Sequence, residues 1–105
     1  MRLIRRGLIG CHLVNFLTME RKHPNLIKIG KKIRELRKLK KFSQEELAAE
    51  AQLGRAYYGR VERGEQNISI QNLIRIALTL QIEPSKLLPS LRQLKMPPPS
   101  QNSNR

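Results

Sequence analysis

Three arginines between positions 55 and 63 are the side chains of this sequence best suited to specific recognition of another molecule. If this segment is a helix with roughly 100° per residue, Tyr58, Val61 and Glu62 share one side. The other side carries arginines separated by small residues, namely Arg55, Ala56, Gly59, Arg60 and Arg63. A surface of this kind can press into the major groove of duplex DNA, whose width admits a helix.

Two arginines and one alanine on that side are the candidate contacts to DNA bases. Arg55 and Arg60 can each donate two hydrogen bonds to guanine O6 and N7, and the methyl group of Ala56 can touch a thymine methyl. Gly59 lowers helix stability by roughly 0.5–1 kcal/mol relative to alanine, which favours a close approach to DNA at this position. The alternative is that Gly59 is simply tolerated.

The candidate contacts to the DNA backbone surround the same segment. Gln44 begins a predicted helix, where its side-chain amide and the nearby backbone N–H groups are expected to point outward, toward a phosphate. Tyr57 can either donate its hydroxyl to a phosphate or pack at the rim of the helix. Positively charged residues complete the predicted set, and these are Lys40, Lys41 and Arg63.

Capping signals define the elements that must position these side chains. The stretch from Ser43 to Glu46 has the spacing of a capping box, so a helix starts at Ser43. Only residues 52–54 separate the end of this helix from the next one, over 55–63, which ends at Gly64. Two helices joined by so short a turn must cross steeply, which predicts a helix-turn-helix.

Three further helices complete the prediction of an all-α fold with five helices. Apolar residues at spacings of three and four from Leu26 onward predict the first helix. Ser69 caps a fourth helix, and Pro84 starts a brief fifth helix that Pro89 stops.

The predicted helices divide the chain into three parts. These are a flexible N-terminal arm over residues 1–25, a helix-turn-helix domain over 26–94 and a disordered tail over 95–105. Met19 is a candidate for the biological start of translation. The residues before it would then be additional translated sequence or a flexible arm. The alternative for these residues is an amphipathic helix that packs on a partner.

The balance of charge points to a polyanionic partner. The chain has 21 Lys and Arg residues against 8 Asp and Glu residues, a formal net charge of +13. Such an excess attracts polyanions, so duplex nucleic acid is the first partner to test and an anionic membrane surface is the second. Ten of the basic residues lie between positions 21 and 41. The basic face of the first helix, within this stretch, is expected to lie near the DNA backbone or to act through its long-range field.

The residue types that catalysis and metal binding require are scarce. The chain has no Asp, and its only cysteine and both histidines lie at positions 11, 12 and 23. We therefore expect no enzymatic activity, no metal site, no cofactor and no small-molecule ligand. No apolar run reaches the roughly 18 residues of a membrane span, and a single cysteine cannot form an intrachain disulfide. The expected compartment is the cytoplasm.

Four stretches of the sequence resemble the phage-repressor and Cro-like (XRE-type) helix-turn-helix family. They are IGKKIRELR over 29–37, SQEELAAEA over 43–51, YGRVERG over 58–64 and SIQNLIRIA over 69–77. Within that family, LGRAY over 53–57, ERG over 62–64 and NIS over 67–69 resemble restriction-modification controller proteins. The resemblance implies a five-helix, lambda-repressor-like bundle that binds duplex DNA as a homodimer through its third helix.

The resemblance also implies roles for single residues. By position, Gln44 would bind a backbone phosphate, and Arg55, Ala56 and Arg60 would face base edges. Arg37 and Glu62 match a pair that forms a buried salt bridge between the first and third helices. The inward position of Glu62 on its helix agrees with this role, because an inward carboxylate without a partner would be costly.

Two positions depart from the family pattern. Gln52 stands where the family favours glycine in the turn, and a left-handed backbone there would cost about 1–2 kcal/mol. Gly54 replaces the usual capping residue of the third helix and offers no side-chain acceptor. These departures predict a third helix that is less firmly seated than is typical of the family.

Three functions remain open at this stage. The outward arginines favour a sequence-specific transcriptional regulator, a homodimeric repressor or autoregulator that reads the major groove with the helix over 55–63. Leucines beyond what a short fifth helix can bury favour an antitoxin or adaptor that binds a partner protein, or else a homodimer contact, and they are Leu87, Leu88, Leu91 and Leu94. Charge alone would suffice for nonspecific binding of polyanions.

Overall fold

This computed structural model describes residues 22–99 of the chain. These residues form four α-helices and two short 3₁₀ helices, joined by turns and loops. They are α1 (Pro24–Leu39), α2 (Gln44–Glu50), α3 (Arg55–Glu62) and α4 (Ile70–Leu80), followed by 3₁₀ helices over Pro84–Leu87 and Leu91–Gln93. No strand occurs within residues 22–99. The prediction of an all-α, five-helix bundle is confirmed.

The fifth predicted helix is a 3₁₀ helix, Pro84–Leu87, rather than an α-helix. Its backbone bonds run from Lys86 N–H to the Glu83 carbonyl and from Leu88 N–H to the Ser85 carbonyl. The two flanking prolines leave room for little more than one turn, and short runs of this kind favour the tighter 3₁₀ geometry. The second 3₁₀ helix was not predicted.

The first helix begins two residues before its predicted start. Pro24 occupies the first helical position, and the imidazole Nδ1 of His23 accepts a hydrogen bond from the Asn25 N–H at 3.1 Å. The Asn25 side chain also forms two hydrogen bonds with the backbone of Lys95, at 2.8 and 2.9 Å. These bonds join the start of α1 to Lys95, residues that lie one position outside the predicted boundaries, 26 and 94. The predictions for residues 1–21, including Met19, and for residues 100–105 fall outside the described part.

The capping box that predicted α2 is present. Ser43 Oγ accepts a hydrogen bond from the Glu46 N–H at 3.0 Å, and the Glu46 side chain accepts one from the Ser43 N–H at 2.8 Å. The turn after α2 contains Gln52 at φ 60°, the left-handed conformation expected there. Gly54 precedes α3 without a side-chain hydrogen bond, as its lack of a side chain requires. The turn thus adopts the left-handed conformation without a glycine, and α3 begins without a side-chain cap; the weaker seating of α3 stays a prediction.

The core lies where the four α-helices and the first 3₁₀ helix meet. Its largest fully buried side chains are Tyr58, Ile33, Leu47, Ile76, Leu80 and Leu87. The backbones of α1 and α3 approach closely at Gly30, where a Cβ atom would lie 2.5 Å from the carbonyl oxygens of Val61 and Glu62. This contact fixes α1 against the C-terminal end of α3. Within residues 22–99, no helix combines the length and the apolar character that crossing a membrane requires.

Candidate nucleic-acid interface

The two sides of α3 differ in burial as the sequence periodicity predicts. Tyr58, Val61 and Glu62 are buried against the bundle, with Tyr58 fully enclosed. Arg55 and Ala56 on the other side are exposed, and Arg60 is half-buried. The side chains proposed to contact bases thus share the solvent side of one helix.

A buried network of polar groups anchors α3 to α1. The carboxylate of Glu62 accepts hydrogen bonds from Arg37 Nε at 2.6 Å and Arg37 Nη2 at 3.2 Å. It also accepts one from the hydroxyl of Tyr58. Arg37 Nη1 donates to the carbonyl of Phe42 at 2.9 Å, in the turn before α2. The Arg37–Glu62 pair therefore links α1, the α1–α2 turn and α3.

The ionisation of the network follows from its geometry. Burial raises the pKa of Glu62, but hydrogen bonds from Arg37, Tyr58 and Gln44 outweigh burial and hold the pKa below its ordinary value. Burial and the adjacent Glu62 carboxylate raise the pKa of the Tyr58 hydroxyl well above its ordinary value. Glu62 is thus a charged acceptor and Tyr58 a neutral donor at neutral pH.

Gln44 belongs partly to this network. Its Nε2 donates a hydrogen bond to Glu62 Oε1 at 2.8 Å, and its side chain is half-buried. The expectation that the whole amide points outward is therefore wrong in this structure. The physical reason is that a buried carboxylate is a stronger acceptor than water for the nearest N–H. One N–H of the same amide group remains beside this bond.

Arg55 lies over the exposed surface of α3 with little to restrain it. Its side chain is 51% exposed, and its Nε atom is 3.8 Å from a carboxylate oxygen of Glu45, which is 75% exposed. Gly59 is buried, because the Nη1 atoms of Arg55 and Arg63 lie 3.3 and 3.2 Å from where its Cβ would be. Gly59 thus makes room for two arginine side chains, and a close approach of DNA at this position stays a prediction.

Arg60 is held more firmly than Arg55. Its Nε donates to Gln66 Oε1 at 3.0 Å, and its guanidinium carbon lies 5.9 Å from the centroid of the Tyr57 ring. The Tyr57 hydroxyl accepts a hydrogen bond from Asn72 Nδ2 at 3.0 Å. Tyr57 therefore packs at the rim of α3, and its own O–H proton remains available as a donor.

The charged residues at the edges of this surface are exposed. Lys40 and Lys41 form the turn between α1 and α2, with Lys41 in the left-handed conformation at φ 67°. Arg63 follows the last residue of α3, and its Nε lies 3.2 Å from Glu65 Oε2. Together with the arginines of α3, these side chains give the helix-turn-helix a basic border.

The sequence model of the helix-turn-helix family matches residues 33–87. The chain belongs to this family. Residues 33–87 run from the middle of α1 to the end of the first 3₁₀ helix, so the match includes both helices of the motif and the core around them.

Individual relatives of this helix-turn-helix protein are restriction-modification controllers. Control protein C.MunI of Mycoplasma sp is 40% identical over 68 residues, which cover 64% of this chain and 92% of that protein. Control protein C.BamHI of Bacillus amyloliquefaciens is 42% identical over 60 residues, covering 56% and 74%. The crystal structure of the controller protein C.AhdI from Aeromonas hydrophila superposes with a TM-score of 0.62 at 45% identity, covering 63% of this chain and all of that one. The predicted resemblance is confirmed.

Two residues beside the predicted interface were missed by the sequence analysis. Gln66 lies in the α3–α4 loop and Asn72 in the first turn of α4, and they bind Arg60 and Tyr57 respectively. Neither has a local sequence signal, because polar residues in a loop and near a helix start are common for reasons of solubility and capping. Only the return of the chain past α3 brings them to the arginine surface.

Proposed function

We propose that this protein is a sequence-specific DNA-binding transcriptional regulator of the restriction-modification controller kind. The observation that carries the proposal is the solvent side of α3, where Arg55 and Arg60 lie on the second helix of a helix-turn-helix. Guanidinium groups at such positions can each discriminate guanine by about 1–3 kcal/mol. Relatives named as controllers with up to 45% identity support the same assignment. A role in binding DNA, rather than catalysis, fits this surface.

The proposed contacts divide into two groups. Arg55, Ala56 and Arg60 contact base edges in the major groove. A second group contacts phosphates and fixes the register of the protein on the duplex, and it comprises Gln44, Lys40, Lys41, Tyr57 and Arg63. Gln44 would use the N–H that remains beside its bond to Glu62, and Tyr57 would donate its hydroxyl proton. A single phosphate contact is expected to be independent of sequence.

We further propose that the protein binds DNA as a homodimer and acts as a repressor or autoregulator. Three of the four leucines singled out in the sequence are exposed: Leu88 is 43% exposed, Leu91 86% and Leu94 38%. The fourth, Leu87, is instead fully buried in the core, and Leu78 of α4 is a further exposed leucine, at 71%. A second copy that covers them would place two α3 helices on a two-fold-related site. These exposed leucines also support the second candidate, an antitoxin or adaptor whose main role is to bind another protein.

Binding of the purified full chain to labelled duplexes tests the first proposal. DNA flanking the gene is compared with a scrambled duplex of equal length, at one salt concentration, because charge alone gives salt-dependent affinity. Arg55→Ala and Arg60→Ala are each expected to weaken specific binding about tenfold to a hundredfold. Arg92→Ala, which removes the same charge from the second 3₁₀ helix, is the control. It is expected to lower the affinity for all duplexes slightly and equally.

Two results would count against the proposal. Equal affinity for flanking and scrambled duplexes would reduce the interaction to nonspecific polyanion binding. A loss of affinity for Arg92→Ala as large as that for Arg55→Ala would mean that total charge, not the α3 surface, governs binding. Sedimentation of the same preparation gives the oligomeric state, and a stoichiometric second protein that copurifies from the host would favour the antitoxin or adaptor role.

A further inference from the structure

The two candidate base-contacting arginines differ in how far their positions are fixed before DNA arrives. Arg55 is half exposed and has only a distant, exposed carboxylate beside it. Arg60 has a hydrogen bond at its Nε atom, and its guanidinium carbon lies 5.9 Å from the centroid of the Tyr57 ring. A long side chain loses rotamer freedom when it binds, and this loss is smaller when its position is already fixed.

The aromatic ring beside Arg60 is itself fixed. Tyr57 accepts a hydrogen bond from Asn72, and Asn72 is tied by its backbone N–H to Ser69 Oγ at 3.1 Å, the cap of α4. The ring is thus linked to both α3 and α4. A guanidinium that lies beside a fixed ring and is bonded at Nε has fewer orientations open to it, and the orientation of the fork decides whether it can meet both acceptors of one guanine.

The loop that supplies Gln66 is also restrained. The N–H of Glu65 donates to the carbonyl of Arg60 at 2.9 Å, which brings the loop back over the end of α3. The carboxylate of Glu65 lies 3.2 Å from Arg63 and 3.5 Å from Lys22. Gln66, the next residue, therefore reaches Arg60 from a loop tied to both α3 and the residues before α1.

The bond to Gln66 uses only the Nε–H of the guanidinium. Arginine has five N–H donors, and four of them are on the two terminal nitrogens. Gln66 binds Nε alone, so the end-on pair of N–H groups, one on each terminal nitrogen, is not occupied by Gln66. A bidentate contact to guanine through the two terminal nitrogens leaves the bond at Nε intact, so Gln66 and guanine can bind Arg60 together.

We propose that Gln66 is a positioning residue that fixes the direction of the Arg60 guanidinium and thereby determines base preference at the position that Arg60 contacts. The inference rests on the proposed function, since it requires that Arg60 contacts a base. It adds a residue outside the recognition helix to the determinants of specificity. Gln66 acts through Arg60, and its removal should change the choice of base more than the total affinity.

Selection of duplexes from a randomised pool, followed by sequencing, provides the test with the full chain. The wild-type protein defines the preferred site, and Arg60→Ala identifies the base position that depends on Arg60. Gln66→Ala is expected to reduce the preference for guanine at this position about threefold to tenfold, equivalent to about 1 kcal/mol, and to leave the other positions unchanged. Gln66→Glu keeps an acceptor oxygen for Nε and is expected to retain the preference, with lower affinity for all duplexes.

Matched controls separate positioning from folding and from general affinity. Gln71→Ala makes the same substitution at an exposed site in the first turn of α4 and should leave every base preference unchanged. In an Arg60→Ala background, Gln66→Ala should have no further effect on preference. Circular dichroism of each variant reports whether the fold is retained, and Gln66→Glu tests the inference if the alanine variant does not fold.

The outcomes distinguish a failure of the proposed function from a failure of the inference about Gln66. If the wild-type protein selects no sequence, the proposed function fails and the inference fails with it. If the wild-type protein selects a site and Arg60→Ala removes one base preference that Gln66→Ala leaves intact, the inference alone is overturned. The inference is also overturned if Gln66→Ala weakens the base preference at all positions of the site equally. The same holds if Gln66→Ala still changes base preference in the Arg60→Ala background.

Discussion

Replacement of Glu62 by alanine is expected to destabilise the fold strongly. The side chain of Glu62 is only 2% exposed, and its carboxylate accepts hydrogen bonds from Arg37, Tyr58 and Gln44. Alanine would leave the guanidinium of Arg37, 10% exposed, without its counter-charge and the hydroxyl of Tyr58 without its acceptor. Removal of one partner of a buried ion pair costs about 3–5 kcal/mol.

The remaining contacts of Arg37 place the loss at the lower end of that range. Its Nη1 would keep the hydrogen bond to the carbonyl of Phe42 at 2.9 Å, so the charge would not be entirely unsolvated. We therefore expect a decrease of about 3 kcal/mol in the free energy of unfolding. The free energy of unfolding of small domains is about 0.05–0.15 kcal/mol per residue, which gives about 4–12 kcal/mol for a unit the size of residues 22–99. The variant should thus lose a quarter or more of its stability.

Urea unfolding followed by circular dichroism measures this loss. Wild type and variants are compared at one protein concentration, because self-association would add to apparent stability. Glu45→Ala is the matched control: its carboxylate is 75% exposed and 3.8 Å from Arg55, so the expected change is below about 1 kcal/mol. The double variant Arg37→Met, Glu62→Leu removes both charges and should recover most of the lost stability. A loss for Glu62→Ala no larger than that for Glu45→Ala would refute the reasoning.

Three further predictions concern pH and glycine. The pKa of Glu62 is lower in the folded state than the unfolded value of about 4.3, so the stability that its carboxylate contributes should be complete above that pH and lost as pH falls through the folded-state pKa. Urea unfolding at a series of pH values checks this, and Glu62→Gln should flatten the dependence of the free energy of unfolding on pH. Gly30→Ala should destabilise by about 1–3 kcal/mol or more in the same assay, since its Cβ would lie 2.5 Å from two backbone carbonyl oxygens of α3. Gly59→Ala should raise stability by about 0.5–1 kcal/mol, because only the flexible ends of two arginines need to move; a lower melting temperature would contradict it.

Several features of the candidate site could be predicted from sequence because they depend on residues close together in the chain. The burial of Tyr58, Val61 and Glu62 follows from helical periodicity alone. The start of α2 follows from the capping box at Ser43, whose two bonds span three residues. The fifth helix was predicted in place, but flanking prolines give only its bounds; its 3₁₀ hydrogen-bond pattern is seen only in the structure.

Other features depend on how the helices cross. The amide of Gln44 could not be assigned to Glu62 from sequence, because the two residues are 18 positions apart and meet only where α2 and α3 pack. The buried state of Gly59 likewise depends on the rotamers of two arginines that cross its surface.

The sequence by itself determined where α2, α3, α4 and the first 3₁₀ helix begin, which side of the α-helices is apolar, and that arginines occupy the solvent side of α3. These properties arise from backbone hydrogen bonds and side-chain spacing within a few residues, so residues that are close in sequence determine them. The tertiary structure decided which polar groups meet across elements: Gln44 with Glu62, Asn72 with Tyr57, and Gln66 with Arg60. A hydrogen bond forms only within about 3 Å and a narrow range of angles, and helix crossing sets both.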